Sequence, residues 1–327
     1  MQETIQKILT SGKGILALDW SPKTIAEKFA VIGITSTPEL NRKYRQMLLT
    51  TPGIENYVSG VILHEETARQ STDDGLRFPD YIAQKGIIPG IKVDKGGEKF
   101  PSSEEEITVG LEDLDARLKD YLTLGVKFTK WRSLFKISDI YPSKEFLDAN
   151  LDALVSSTKI ILANGLVPVI EPEVSMKGNH TTTRCAEITT QVLALLFEKL
   201  NKGGVNFNQI ILKTNMVLPG QDNGIHAAPL EVAEATLRTF RKSVPSEVQG
   251  IVFLSGGQSP DDAINNLNEV VKRKSTTDPW DITFSYARAL QGDALNVWAG
   301  KDENIAIAQE VFIKRLEMLS KARKGEL

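Results

Sequence analysis

About eight short apolar runs, nearly all followed by sequence of helical spacing, recur along the 327 residues at intervals of roughly 30–45 residues. That alternation leaves few folds open. Parallel strands need a crossover of a dozen residues or more to return the chain to the same end of a sheet, and a helix is the usual crossover. The runs fall at 14–19, 58–64, 87–94, 126–132, 166–173, 209–217, 250–257 and 281–288. Helical spacing covers 24–32, 37–49, 110–124, 147–164, 182–200, 230–243, 260–274 and 304–322, with a short amphipathic helix at 1–9. Gly96-Gly97 reads as a loop.

Two architectures suit this order, an open doubly wound sheet and a closed (β/α)8 barrel. The open sheet calls for a glycine fingerprint in its first βα turn. Here that turn reads Asp19-Trp20-Ser21-Pro22. The barrel instead gathers chemistry from several strands at their C-terminal ends, which is where this chain carries its unusual residues. With no linker or low-complexity segment, we expect an α/β (β/α)8 TIM barrel, one domain over 1–327, with a short N-terminal helix and a C-terminal helix.

The lysine at 213 closes an apolar run, Ile210-Ile211-Leu212-Lys213-Thr214-Asn215. A buried ammonium is costly unless paired or neutralised, and a neutral amine attacks carbonyl groups. One lysine at a strand end means little alone, so the other strands decide. Residues two apart on a strand share a face. Lys92 with Asp94, Lys130 with Arg132, Glu171 with Glu173, and Lys213 with Asn215 therefore pair up, and Asp19 and Arg288 end two further strands. Any one pair alone reads better as a solvated strand end or a structural ion pair. Repeated at six strands, the pattern fits a barrel mouth better. Two ammonium groups about 5 Å apart repel by roughly 3 kcal/mol at an effective dielectric near 20, so Lys130 beside Lys213 is expected to help free the Lys213 amine. Glu171 and Glu173 can relay protons, and Asp19 can accept one from a substrate hydroxyl. The turn Ser255-Gly256-Gly257, directly before a helix, offers backbone N–H groups to an anion, and Arg288 can fork onto phosphate oxygens. The residues thus point to a barrel enzyme that forms an imine between a lysine and a phosphorylated carbonyl compound.

Composition removes other classes. A net charge of -3 gives no general attraction to nucleic acid or anionic membranes. The single Cys185 suits a reducing cytoplasm. His64, His180 and His226 show no metal-ligand spacing, so neither metal nor cofactor is expected. No secretory h-region and no apolar run of membrane-spanning length are found.

In its motifs the chain resembles class I fructose-bisphosphate aldolase, the lysine-dependent, metal-free type. The likeness extends from about Gly12 to Ala322. It is carried by Gly12-Lys13-Gly14-Ile15-Leu16-Ala17 before Asp19, Asp73-Asp74-Gly75, Gly90-Ile91-Lys92-Val93-Asp94-Lys95-Gly96, Lys130-Trp131-Arg132, Glu171-Pro172-Glu173, Leu212-Lys213, Phe253 to Ser259, and Phe284-Ser285-Tyr286 with Arg288. The resemblance implies reversible cleavage of fructose 1,6-bisphosphate to dihydroxyacetone phosphate and glyceraldehyde 3-phosphate. It also implies a homotetramer and a role in glycolysis and gluconeogenesis. On it, Lys213 forms the Schiff base, Glu171 is the acid and base of carbinolamine dehydration with Lys130 and Glu173 in support, and Asp19 takes the C4 hydroxyl proton. Ser255, Gly256 and Arg288 hold one phosphate. Ser21 and Thr24 lie where the family holds the other, with Lys92 and Arg132 nearby. Four departures stand out. Trp20 replaces the usual Glu, Thr214 a Pro and Ala287 a Gly, and the chain ends at Leu327 without the terminal Tyr of the animal members, whose part in proton transfer must then be filled otherwise. Trp20 leaves open a Schiff-base aldolase of the same family that prefers a ketose 1-phosphate or sedoheptulose bisphosphate.

Overall fold

The computed structural model describes residues 1–327. Eight of its ten strands close a parallel barrel: β1 (Gly14–Leu18), β2 (Val58–Leu63), β3 (Ile88–Lys92), β6 (Phe128–Phe135), β7 (Val167–Val174), β8 (Ile211–Thr214), β9 (Gly250–Phe253) and β10 (Asp281–Tyr286). Around the barrel they run β1-β10-β9-β8-β7-β6-β3-β2. The remaining two, β4 (Gly97–Lys99) and β5 (Glu106–Thr108), form an antiparallel hairpin after β3. The expected barrel and its eight strands are thus present.

Strands buried on both faces explain the continuous β-branched runs. Their outer faces pack on the helices in one large core. Their inner faces form a second, smaller one built on Ile15, Ile62, Phe128, Val167, Val169, Ile211 and Val252. The helix Gln2–Ile8 plugs this inner core from below with Ile5, Ile8 and Leu9. Arg323, on the C-terminal helix Ile305–Lys324, holds the plug by donating to the Leu9 carbonyl at 2.6 Å. The bottom is closed, so only the C-terminal strand ends open to solvent. Glycine makes the interior fit. A β-carbon at Gly14 would lie 2.6 Å from the Phe284 ring, and one at Gly90 would overlap the Phe128 ring.

Several elements were not expected from the sequence, among them the short helix Glu65–Ala68, the β4–β5 hairpin and a helix after β10. Three-residue strands carry no readable period, so the β4–β5 hairpin appeared only as a Gly96-Gly97 loop. The helix Arg288–Trp298 has Gly292 in its interior and no side-chain cap at Ala287, and both weaken the helical signal. The 209–217 run is also shorter as a strand, because the chain turns away after Thr214.

Candidate active site

A cavity of about 780 Å³ opens at the C-terminal end of the barrel. Thirteen of the expected residues line it: Asp19, Ser21, Thr24, Lys92, Asp94, Lys130, Arg132, Glu171, Glu173, Lys213, Ser255, Gly256 and Arg288. Parallel register brings them together. β3 and β6 pair Lys92 with Lys130, and β6 and β7 pair Arg132 with Glu171.

At the base of the cavity four charges form a chain. The Glu171 carboxylate stands between two ammonium groups, with Lys213 Nζ 3.0 Å from Oε1 and Lys130 Nζ 2.7 Å from Oε2. Lys130 also reaches Asp19 Oδ2 at 3.1 Å. The side chains of Lys130, Glu171 and Lys213 are almost completely buried. This revises the electrostatic expectation for Lys213. Its neighbour Lys130 does not face it bare, because Glu171 separates the two. The ion pairs resolve the burial cost that each charge would meet alone.

Burial pushes the Asp19 carboxyl up, but Lys130, Lys213 and Lys92 together outweigh it and hold Asp19 far below the usual carboxylate range. Burial likewise disfavours charged Lys130, yet Asp19, Glu171 and Asp94 raise it well above an ordinary lysine. Asp19 is therefore an anion, and Lys130 a cation, throughout the neutral range. Arg132 is held cationic against burial by Glu173, whose Oε2 lies 2.5 Å from its Nε. Lys92 is tied to Asp94 at 2.5 Å.

The turn after β9 closes tightly at the mouth of the cavity. Gly256 adopts φ +49°, and Gln258 N donates back to the Ser255 carbonyl at 3.0 Å. Arg288, which opens the helix after β10, donates from Nη2 to the carbonyls of Gly256 and Gln258 at 2.7 and 3.1 Å. Across the mouth, Ser21 caps the helix Pro22–Val31 and its hydroxyl meets that of Thr24 at 3.1 Å.

Two expected residues lie elsewhere. Asn215 sits past the end of β8 and is turned into the wall, where its amide group serves Val174 N and the Met216 carbonyl. The strand has ended, so strand alternation no longer governs its direction. Gly257 faces Gln221, whose amide donates to the Gly257 carbonyl at 2.9 Å, and it does not line the cavity.

Trp20 does line it. Its ring stacks on Tyr44 with centroids 6.3 Å apart, and its carbonyl accepts from buried Arg45 at 3.0 Å. Ala287 also lines it, at φ -105°, so no left-handed conformation demands glycine there. Lys23, His64, Glu65, Lys95, Arg117, Tyr121 and Ser285 line the cavity without having been singled out from sequence. Ser285 was within reach of the alternation argument, two residues before Ala287, and its buried hydroxyl has no protein partner. Lys23 had no such signal, being a charge in the first turn of an exposed helix.

The arrangement sets an amine, an adjacent carboxylate, a second carboxylate, and hydroxyl and cationic groups at two ends of one space. Comparison with known proteins agrees in every part of the chain. The family model for class-I fructose-bisphosphate aldolase matches residues 1–327. A probable class 1 fructose-bisphosphate aldolase from Xylella fastidiosa (strain Temecula1) is 43% identical over 100% of this chain and 98% of its own. The cytoplasmic isozyme of fructose-bisphosphate aldolase from Spinacia oleracea is 43% identical over 98% of this chain and 89% of its own. The fructose-bisphosphate aldolase of Plasmodium falciparum, solved in complex with TRAP and a small-molecule inhibitor, superposes with a TM-score of 0.96 at 40% identity, covering 99% of this chain and 94% of that one. Its sequence, its barrel and its whole-length relatives agree: this chain belongs to the class-I fructose-bisphosphate aldolase family.

Proposed function

We propose that the cavity cleaves fructose 1,6-bisphosphate to dihydroxyacetone phosphate and glyceraldehyde 3-phosphate, and joins them in reverse, through an imine on Lys213. The observation that carries this reading is the Lys213–Glu171–Lys130–Asp19 chain, buried at the base of the cavity. Glu171 takes a proton from Lys213, and the freed amine attacks C2 of the open-chain ketose. The C–N bond forms, and the carbonyl oxygen gains the proton that the attacking nitrogen gives up, which leaves a neutral carbinolamine. Glu171 then protonates the departing hydroxyl, and water leaves to give the iminium. Asp19 accepts the C4 hydroxyl proton while the C3–C4 pair flows into the iminium, releasing the aldehyde and leaving an enamine. A carboxylate as weakly basic as Asp19 suffices, because the iminium's pull makes that hydroxyl acidic as the bond breaks. Protonation at C3 and hydrolysis of the imine return Lys213 to its starting form. Lys130 keeps Asp19 ionised, and Glu173 orients Arg132.

In the same reading Ser255, Gly256 and Arg288 hold the C1 phosphate, and Ser21 and Thr24 hold the C6 phosphate, with Lys92 and Arg132 nearby. Trp20 beside Asp19 favours testing a second reading, a preference for sedoheptulose bisphosphate or a ketose 1-phosphate. The ratio of kcat/KM on the three sugars decides between them. We further propose a cytoplasmic homotetramer. The name of the spinach relative supports the location.

Borohydride reduction in the presence of dihydroxyacetone phosphate tests the central step. The expected product is a stable adduct on the peptide that contains Lys213. Lys213→Ala and Lys213→Arg should lose both adduct and cleavage while keeping the fold, since guanidinium stays charged. An adduct elsewhere, or turnover surviving in either variant, overturns the assignment.

A further inference from the structure

Eight cationic side chains and five carboxylates line the cavity, in a chain whose overall charge is -3. Six of the eight cations have a carboxylate within 4.0 Å: Lys92, Lys95, Arg117, Lys130, Arg132 and Lys213. Arg288 has none, but its Nη2 donates to two backbone carbonyls of the Gly256 turn, and the reading above gives it to the first phosphate. Lys23 alone has neither a carboxylate nor a carbonyl partner. The uncharged Trp20 ring, stacked on Tyr44, lines the same cavity. The backbone N–H of Lys23, in the first turn of the helix Pro22–Val31, also donates to no protein acceptor. One residue thus presents an unpaired ammonium and an unpaired amide at the mouth.

The position of Lys23 along the substrate follows from the reading of the site given above, on which this inference rests. With C2 on Lys213 and the C4 hydroxyl at Asp19, C6 lies two carbons beyond Asp19. There the chain continues through Ser21 to Lys23 and Thr24. We propose that Lys23 is the specificity-determining contact for the second phosphate of the sugar, and that it separates bisphosphates from ketose monophosphates. The Ser21 hydroxyl is partly spent as a helix cap on Thr24 N, and the nearby Lys92 and Arg132 are each paired with a carboxylate, which leaves the C6 dianion short of charge compensation. A lysine suits this place. It is a mobile point charge on a flexible stem, able to meet the phosphate on arrival and let it go with the aldehyde product.

The test uses the full chain with Lys23→Met, which keeps the stem, and Lys23→Glu, assayed on fructose 1,6-bisphosphate and fructose 1-phosphate. Loss of one charge-assisted contact should raise KM for the bisphosphate about tenfold in Lys23→Met, with kcat moving less than about twofold. Lys23→Glu should raise it further. The bisphosphate-to-monophosphate ratio of kcat/KM should fall about tenfold, and the rise of bisphosphate KM with added salt should flatten. A bisphosphate KM within about twofold of the unaltered protein, or equal losses on both sugars, overturns the proposal. Trapping of dihydroxyacetone phosphate by the unaltered protein separates the two levels. If trapping at Lys213 succeeds and the sugar ratio does not move, only the Lys23 assignment falls. If trapping fails, the Schiff-base reading falls with it.

Discussion

Replacing Lys130 with methionine removes the cation that binds Asp19 and Glu171 together. At 3.1 and 2.7 Å, each contact is worth on the order of 5 kcal/mol of Coulomb energy at an effective dielectric near 20. Two offsets apply. The variant no longer desolvates an ammonium, which returns several kcal/mol, and Lys213 stays on Glu171 at 3.0 Å. Breaking a buried pair from one side then leaves a net loss of about 3–5 kcal/mol at neutral pH. The pH dependence gives a sharper signature. In the unaltered protein the Asp19 carboxyl lies below its unfolded value, so its contribution is fully present above about pH 4 and fades only as pH falls toward the folded value. Without Lys130, burial is opposed only by Lys213 and Lys92, and the Asp19 pKa rises. The strained carboxylate is then relieved by protonation as pH falls. The raised pKa of Lys130 adds no slope below about pH 10. The stability gap between the two proteins should therefore be widest near pH 7 and narrow below about pH 5. Urea unfolding of both proteins at pH 5 and pH 7 measures it, and kcat/KM against pH should show the acid limb moved upward in the variant. Equal urea midpoints at pH 7, or a gap that does not narrow on acidification, would refute the counter-ion role.

Two further substitutions follow. Glu171→Gln keeps the shape but cannot shuttle a proton between Lys213 and the carbinolamine, so kcat should fall by about 10²–10⁴. The rate of borohydride-trapped adduct formation should fall with it, and a trapping rate unchanged from the parent protein would remove Glu171 from that step. Gly90→Ala places a β-carbon against the Phe128 ring inside the barrel, where overpacking costs about 1–3 kcal/mol. A lowered Tm, partly restored by Phe128→Leu in the same chain, is the expected thermal result. An unchanged Tm would show that the ring has room to move.

The barrel was legible because its signal is repeated. Each strand such as 250–257 is ambiguous alone, but alternation with helices along the whole chain leaves one economical closure. The charged base of the site was legible for a related reason. Strand alternation is rigid, so Lys130, Glu171 and Lys213 had to converge once the strands were placed. Where the strand ends, so does the inference. Asn215 lies one residue past β8 and turns into the wall, and Gly257 turns toward Gln221. Lys23 was invisible for the opposite reason. Nothing in sequence separates a lysine on a solvated helix from one over a cavity, because the difference lies in which neighbours lack a countercharge. That difference is a property of the assembled mouth. The deep groups of this site are paired with one another and hold the chemistry in place. The least paired cation stands at the rim, where an incoming anion can still change the charge balance. Substrate choice in this chain therefore depends on an exposed residue without a side-chain partner, and it can vary without disturbing the Lys213–Glu171–Lys130–Asp19 chain beneath.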